Sequence, residues 1–410
     1  MRFIHWSPAP VDSTPTQRRN FINVQIDAIG IGLASALAPF LPVFLTRLGA
    51  SNVQVGLLTS MPAFTGLLMA IPLGRFLQTR RQIVPWFSAA RLMVVSSYAL
   101  TGLITFFVPE GYLVNSVLLI WAAATLPQTI VAVCFSVVMN EVAGPQHRYE
   151  LMSRRWSILG VTMALTVALV GQMLNRVEFP LNYQLAFLTL SIGGLISFYF
   201  SSHIRLPDAE LQGSRRGISW RERIREYMRL IASQKDFVDF SLKRLFYMFG
   251  FTLAVPLFPL YYVREVHAND AWIGIISTVQ SAILLVGYFL WTRESRLQGS
   301  RFVLLWTTFG LGLYPALVAL TTRVELIALY AGIAGVFQAG LDLVFFDELM
   351  KTVPPQYSAT FVSLAQSFQY LAAILGPMLG TMLADHFGLG AGLFVSAILR
   401  LVGFLLFSRR

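Results

Sequence analysis

Long apolar blocks alternate with short polar stretches along the whole chain. The blocks run roughly over 21–46, 53–77, 83–107, 112–139, 154–175, 183–204, 240–263, 272–292, 302–321, 325–346, 359–384 and 389–408. A helix rises about 1.5 Å per residue, so some 20 apolar residues cross a ~30 Å hydrocarbon core. The pattern therefore predicts an all-α membrane protein of about 12 transmembrane helices, and an even number of spans puts both termini on one side. A polar tail precedes the first block, and the longest polar stretch separates blocks six and seven. Within it, ISWRERIREYMRLIASQK reads as a helix: Ser219 and Glu222 have capping-box spacing, while Trp220, Ile224, Tyr227 and Ile231 share one face among arginines. Such a basic amphipathic helix suits a cytoplasmic membrane surface.

Composition agrees with lipid as the main solvent: 56% of the 410 residues are hydrophobic and 12% are charged, against about a quarter charged in soluble domains. The net charge of +11 would suit a nucleic-acid partner, but its distribution argues otherwise. With the N-terminus inside, most arginines and lysines fall in the inner segments, and the outer loops hold only Arg47, Arg176, Arg264 and Arg323. This is the positive-inside asymmetry of a plasma-membrane protein. No nucleic-acid partner is needed to explain the charge, and the lean loops suit a bacterial inner membrane. Cys134 is the single cysteine, so no internal disulfide forms. The first apolar run is too long for a signal-peptide core, so residues 1–20 read as a retained cytoplasmic tail.

The chain also repeats itself. APFLPVFLTR, ending at Arg47, returns about 217 positions later as VPLFPLYYVR, ending at Arg264; Pro39 and Pro42 match Pro256 and Pro259. After one residue of slippage VGLLTS (Val55 to Ser60) matches IGIIST (Ile273 to Thr278). Further on, Gln128 matches Gln338, Phe135 matches Phe345, and Pro145-Gln146 matches Pro355-Gln356. Two six-span halves of like orientation, joined by a long cytoplasmic loop, resemble the major facilitator superfamily. The resemblance implies two pseudo-symmetric six-helix bundles (21–204 and 240–410) joined by a linker (205–239). It further implies a central cavity lined by spans 1, 4, 7 and 10 and rocking of one half against the other. It also points to gating loops at Gly74, Arg80 and Arg81, and at Pro145 and Arg148. Gln78 stands where the family has an acidic residue, which removes the acid of a charge-paired latch. The arginine of span four and the Gly-Pro of span five that mark proton-coupled drug antiporters are absent, although Gly376-Pro377 occurs in span eleven, where helix packing explains it.

An ionised side chain costs at least ~2.5–3.5 kcal/mol in a membrane core, which singles out Asp27, Arg91, Lys243, Arg244, Asp342 and Arg400. Asp27 and Arg244 fall at equivalent positions of the two halves, with opposite charge, and are expected to pair across them in a proton-sensitive way. Lys243 and Arg244 snorkelling from a span end is the plainer reading. Asp342, one turn after Gln338, is a second proton-site candidate, with a helix–helix hydrogen bond as the alternative. Gln128 and Gln338 are amides that either meet substrate or serve as polar packing between helices, and Tyr247 is the centre of an aromatic wall, a feature more often lipid-facing or core filler than a ligand box. Arg91 and Arg400 are expected to snorkel or to form structural pairs. No metal-ligand spacing, nucleotide loop or catalytic set is visible, so an enzyme is not expected and no cofactor is implied. The chain reads as a secondary transporter, acting as a monomer, for a small amphipathic organic solute. A proton is the candidate coupling ion and export is favoured over uptake. A transporter-like sensor or scaffold is the alternative.

Overall fold

A computed structural model describes residue 9 and residues 13–78, 80–206, 234–352 and 358–409. These residues fold into helices joined by short turns. The first helix, α1 (Pro15–Ser35), starts at a capping box in which the Thr14 and Gln17 side chains each accept from the other's backbone N–H, with Pro15 at the first helical position. It stops short of Pro39, and α2 (Phe40–Arg47) resumes it. The repeat does the same: α8 (Lys235–Ala254) gives way to α9 (Leu257–Arg264) at Pro256. Proline lacks the N–H a helix needs and crowds the preceding turn, so the repeated prolines produce a repeated break.

Between them lie α3 (Asn52–Gln78), α4 (Val84–Ile104), α5 (Glu110–Leu174), α6 (Leu181–Leu190) and α7 (Ile192–Ser202). The 65 residues of α5 are two spans merged across Gly144, whose φ of 64° and ψ of 179° interrupt the helix in a conformation that glycine adopts freely. After α9 come α10 (Asp270–Gln298), α11 (Ser300–Ala319), α12 (Val324–Thr352), α13 (Ser358–Phe387) and α14 (Leu389–Ser408). Among the described residues, 11 helical stretches are long and apolar enough to cross a membrane. The 27-residue α3 occupies the place of the second expected span. The expected amphipathic helix of the linker lies outside the described residues.

The chain divides into two compact units, Met1–Phe44 with Leu68–Gln212, and Leu45–Leu67 with Gly213–Arg410. In the first, α1 packs on α5 and α7, and α4 on α5 and α7. Phe21, Val24, Phe87, Cys134 and Val138 belong to one core cluster there. In the second, α8 packs on α13 and α14, α10 on α12, and α11 on α12 and α14. Gly376 and Gly380 make the α8–α13 approach close. A Cβ at Gly376 would lie 2.2 Å from Thr252 Oγ1, and one at Gly380 2.3 Å from the Leu253 carbonyl oxygen. Small residues at a membrane helix crossing let backbones meet, which maximises dispersion contact where lipid removes the hydrophobic drive.

Candidate functional site

Side chains of α8, α12 and α13 in the second unit line an open-mouthed cavity of about 350 Å³. Helical spacing builds each wall. Arg244, Met248 and Phe251 share a face of α8; Gln338, Leu341, Asp342 and Phe345 share one of α12; Ala365, Gln366 and Gln369 share one of α13. The walls are therefore mostly apolar, with a few polar groups converging.

Arg244 Nη2 donates to Gln369 Oε1 at 3.2 Å, and the guanidinium sits 5.5 Å from the centre of the Phe345 ring. Its Nε is buried with no acceptor. Asp342 accepts from Gln338 Nε2 at 2.7 Å and from the Tyr288 hydroxyl at 3.1 Å. Among the described residues no carboxylate pairs with Arg244 and no cation pairs with Asp342. One cavity thus presents a cation and an anion, each steadied by neutral groups and neither neutralised.

Three of the residues singled out from sequence, Arg244, Gln338 and Asp342, meet in this cavity. Tyr247 does not. It is fully buried, its hydroxyl donates to the Thr308 carbonyl at 3.1 Å, and its ring packs on Phe345 and Phe407. Three residues along a helix turn a side chain about 60° from its neighbour's face, and a buried hydroxyl goes where an acceptor is. Gln128 is half-buried on α5 in the first unit and is not among the side chains lining this cavity.

The expected partnership of Asp27 with Arg244 is replaced by another. Asp27 is fully enclosed in the first unit. Its Oδ1 accepts from Arg91 and from Ser197 Oγ at 2.6 Å, and Arg155 Nη2 stands 3.8 Å from Oδ2. Two arginines therefore neutralise this carboxylate locally, as burial requires. Arg155, which is not among the residues singled out from sequence, is itself buried. Its signal was its place at the head of an apolar run. Arg91 is thus a structural pair. Arg400 donates to the carbonyls of Leu311 and Phe251, each at 3.2 Å. Phe251 is in the last turn of α8, where helix carbonyls lack intrahelical donors. Lys243 pairs with Asp239 at 2.7 Å.

Of the expected gating residues, Gly74 lies in α3, Arg80 and Arg81 are exposed, and Arg80 stacks 4.4 Å from Phe76 and 5.5 Å from Trp86. Pro145 follows the Gly144 break; the side chain of Arg148 lies outside the described residues. Among the described residues, no group of His, Cys, Asp and Glu is placed to hold a metal.

Residues 240–410 match the model of the Major Facilitator Superfamily. Curated relatives include the multidrug resistance protein MdtG of Proteus mirabilis, 23% identical over 163 residues, or 38% of this chain and 40% of that protein. MdtG of Escherichia fergusonii is 26% identical over 156 residues, 36% of this chain and 37% of that one. The matched part thus spans about two fifths of these relatives' length. Among solved structures, the nucleoside transporter NupG superposes with a TM-score of 0.74 at 11% identity, over 96% of this chain and 99% of that one. A bacterial homologue of the iron transporter ferroportin gives 0.72 at 14%, over 96% and 98%. At such identities the likeness is one of fold.

Proposed function

We propose that this chain is a membrane transporter of the major facilitator superfamily, a reading supported by the family match of residues 240–410 and by the fold, and that it moves a small amphipathic organic solute by alternating access as a secondary active transporter. The cavity between α8, α12 and α13 is its solute site. The observation that carries this reading is the coexistence, in one largely apolar cavity, of an unneutralised arginine and an unneutralised carboxylate. Charges held in a membrane core at such cost serve a passage or a ligand. The volume suits a small molecule.

Asp342 is the coupling carboxylate of this reading, because it faces the cavity while Asp27 is consumed by Arg91 and Arg155. The proton is the coupling ion, export the direction, the termini cytoplasmic and the working unit a monomer. Gln128 is a further solute-contacting amide, and the loops at Gly74, Arg80, Arg81, Pro145 and Arg148 act as cytoplasmic gates. The fold alone names no cargo: its solved relatives include a nucleoside transporter and a homologue of an iron transporter.

The test is transport in proteoliposomes with an imposed pH gradient, using phenylbutyl sulfonate and phenylbutylammonium as matched amphipathic probes. Wild type should accumulate at least one of them against its gradient. The Asp342→Asn variant should still exchange that probe at equal pH while losing gradient-driven accumulation. Absence of exchange by folded wild type would remove the amphipathic-solute reading; accumulation that survives Asp342→Asn would remove this carboxylate from coupling.

A further inference from the structure

We infer that the solute of this cavity carries a single anionic head, received by Arg244, ahead of an apolar body. The inference rests on the cavity being the solute site and goes further in naming the head group. Arg244 is turned into the cavity with its Nε buried and without an acceptor. Asp342 lines the same cavity, but its two oxygens already accept from Gln338 and Tyr288. Gln369 and the Phe345 ring hold the guanidinium in place and leave its charge unmatched. A planar guanidinium offers paired donors that fit a carboxylate, sulfonate or phosphonate. One arginine matches one negative charge, and Asp342 disfavours a second by repulsion. Met248, Phe251 and Leu341 supply the apolar wall for the body.

Calorimetric titration of the purified full chain with phenylbutyl sulfonate, phenylbutyramide and phenylbutylammonium separates the cases. The sulfonate should bind about 10-fold tighter than the amide, and the ammonium weakest. Arg244→Gln should remove the preference for the sulfonate while leaving the amide unchanged, and Arg244→Lys should restore part of it. An ammonium bound tightest, or a sulfonate affinity indifferent to Arg244→Gln, overturns the anionic head and leaves the cavity as solute site. No binding by any of the three to folded protein overturns both.

A different observation carries a second inference. Arg47 closes α2 and Arg264 closes α9, at equivalent positions of the repeat. Arg47 donates to Asp270 Oδ1 from Nε at 3.2 Å and Nη2 at 2.9 Å, and to the Ala268 carbonyl at 3.3 Å. Arg264 donates to Asn52 Oδ1 at 2.6 Å and to the Ala50 carbonyl. In the register that aligns Val55 with Ile273, Asn52 is the counterpart of Asp270 and Ala50 of Ala268. Each arginine therefore grips the turn that follows the other. Asn52 also donates to Asp385 Oδ1 at 2.6 Å.

The geometry points to a reciprocal clasp, inside the second unit, that holds residues 45–67 against the starts of α10 and the end of α13 and must release for this face to open. Ser60, 3% exposed and bonded to the Ile374 carbonyl at 3.1 Å, lies behind it. With Cys134 replaced by Ala, Ser60→Cys provides a reporter for a bulky thiol reagent in detergent. Labelling should quicken about 10-fold when Arg47→Gln and Arg264→Gln are combined, and the exchange Arg47→Asp with Asp270→Arg should slow it again relative to Arg47→Asp alone. Labelling unchanged in the double variant, with an unaltered elution profile, overturns the clasp.

Discussion

At the scale of single residues, the ionised groups divide by what surrounds them. Asp27 is enclosed with Arg91, Arg155 and Ser197, so its removal strands two buried cations. Asp27→Ala should cost about 3–5 kcal/mol, read as a large fall in the thermal unfolding midpoint in detergent. Replacing Asp27 and Arg91 together by Leu and Met should recover part of the loss, since an apolar pair leaves one fewer charge unmatched. A midpoint unmoved by Asp27→Ala would show that the network contributes nothing. Arg244 and Asp342 are the opposite case, facing a cavity with no charged partner among the described residues. Their replacement should alter binding and coupling more than stability. The sequence made Asp27, Arg91, Arg244 and Asp342 conspicuous and left Arg155 and Ser197 unmarked, because which charge meets which depends on azimuth around each helix and on the neighbours it finds there.

At the scale of elements, prolines and glycines do most of the shaping. Pro39 and Pro256 end equivalent helices in the two halves, and Gly144 divides α5. Gly376 lets α13 approach α8 closely enough for the Thr252 hydroxyl to donate to the Ala372 carbonyl at 2.8 Å. Gly376→Val would drive a branched side chain into Thr252 and should cost about 1–3 kcal/mol, seen as lower thermal stability in detergent. Because α8 and α13 are two walls of the cavity, the same change should also weaken solute binding. A variant as stable as wild type would mean that this crossing has slack. The Gly376-Pro377 pair was legible in sequence as a packing feature, because a membrane crossing selects small residues. The register of the contact, Gly376 on Thr252, was not.

At the scale of the whole molecule, the chain's fold is like that of the solved transporters, and residues 240–410 match the Major Facilitator Superfamily model. The proposed coupling through Asp342 belongs to this scale, because it links a titration at one carboxylate to movement of solute across the bilayer. The proteoliposome comparison of exchange with accumulation reads that link directly, independently of stability.

The sequence by itself determined the all-helical membrane class and the rough extent of the apolar helices, because membrane crossing demands length and apolarity; it showed the repeated prolines but read straight through the helix breaks they produce. Only the tertiary structure decided that Asp27 belongs to Arg91 and Arg155, that Tyr247 turns inward to Thr308, and that Arg47 and Arg264 reach for each other's equivalent turns. The physical reason is that a helix in lipid meets apolar surroundings on its outer face and apolar neighbours on its inner one. Hydrophobic periodicity therefore barely marks which way a side chain points, and the pairing of polar groups is left to packing.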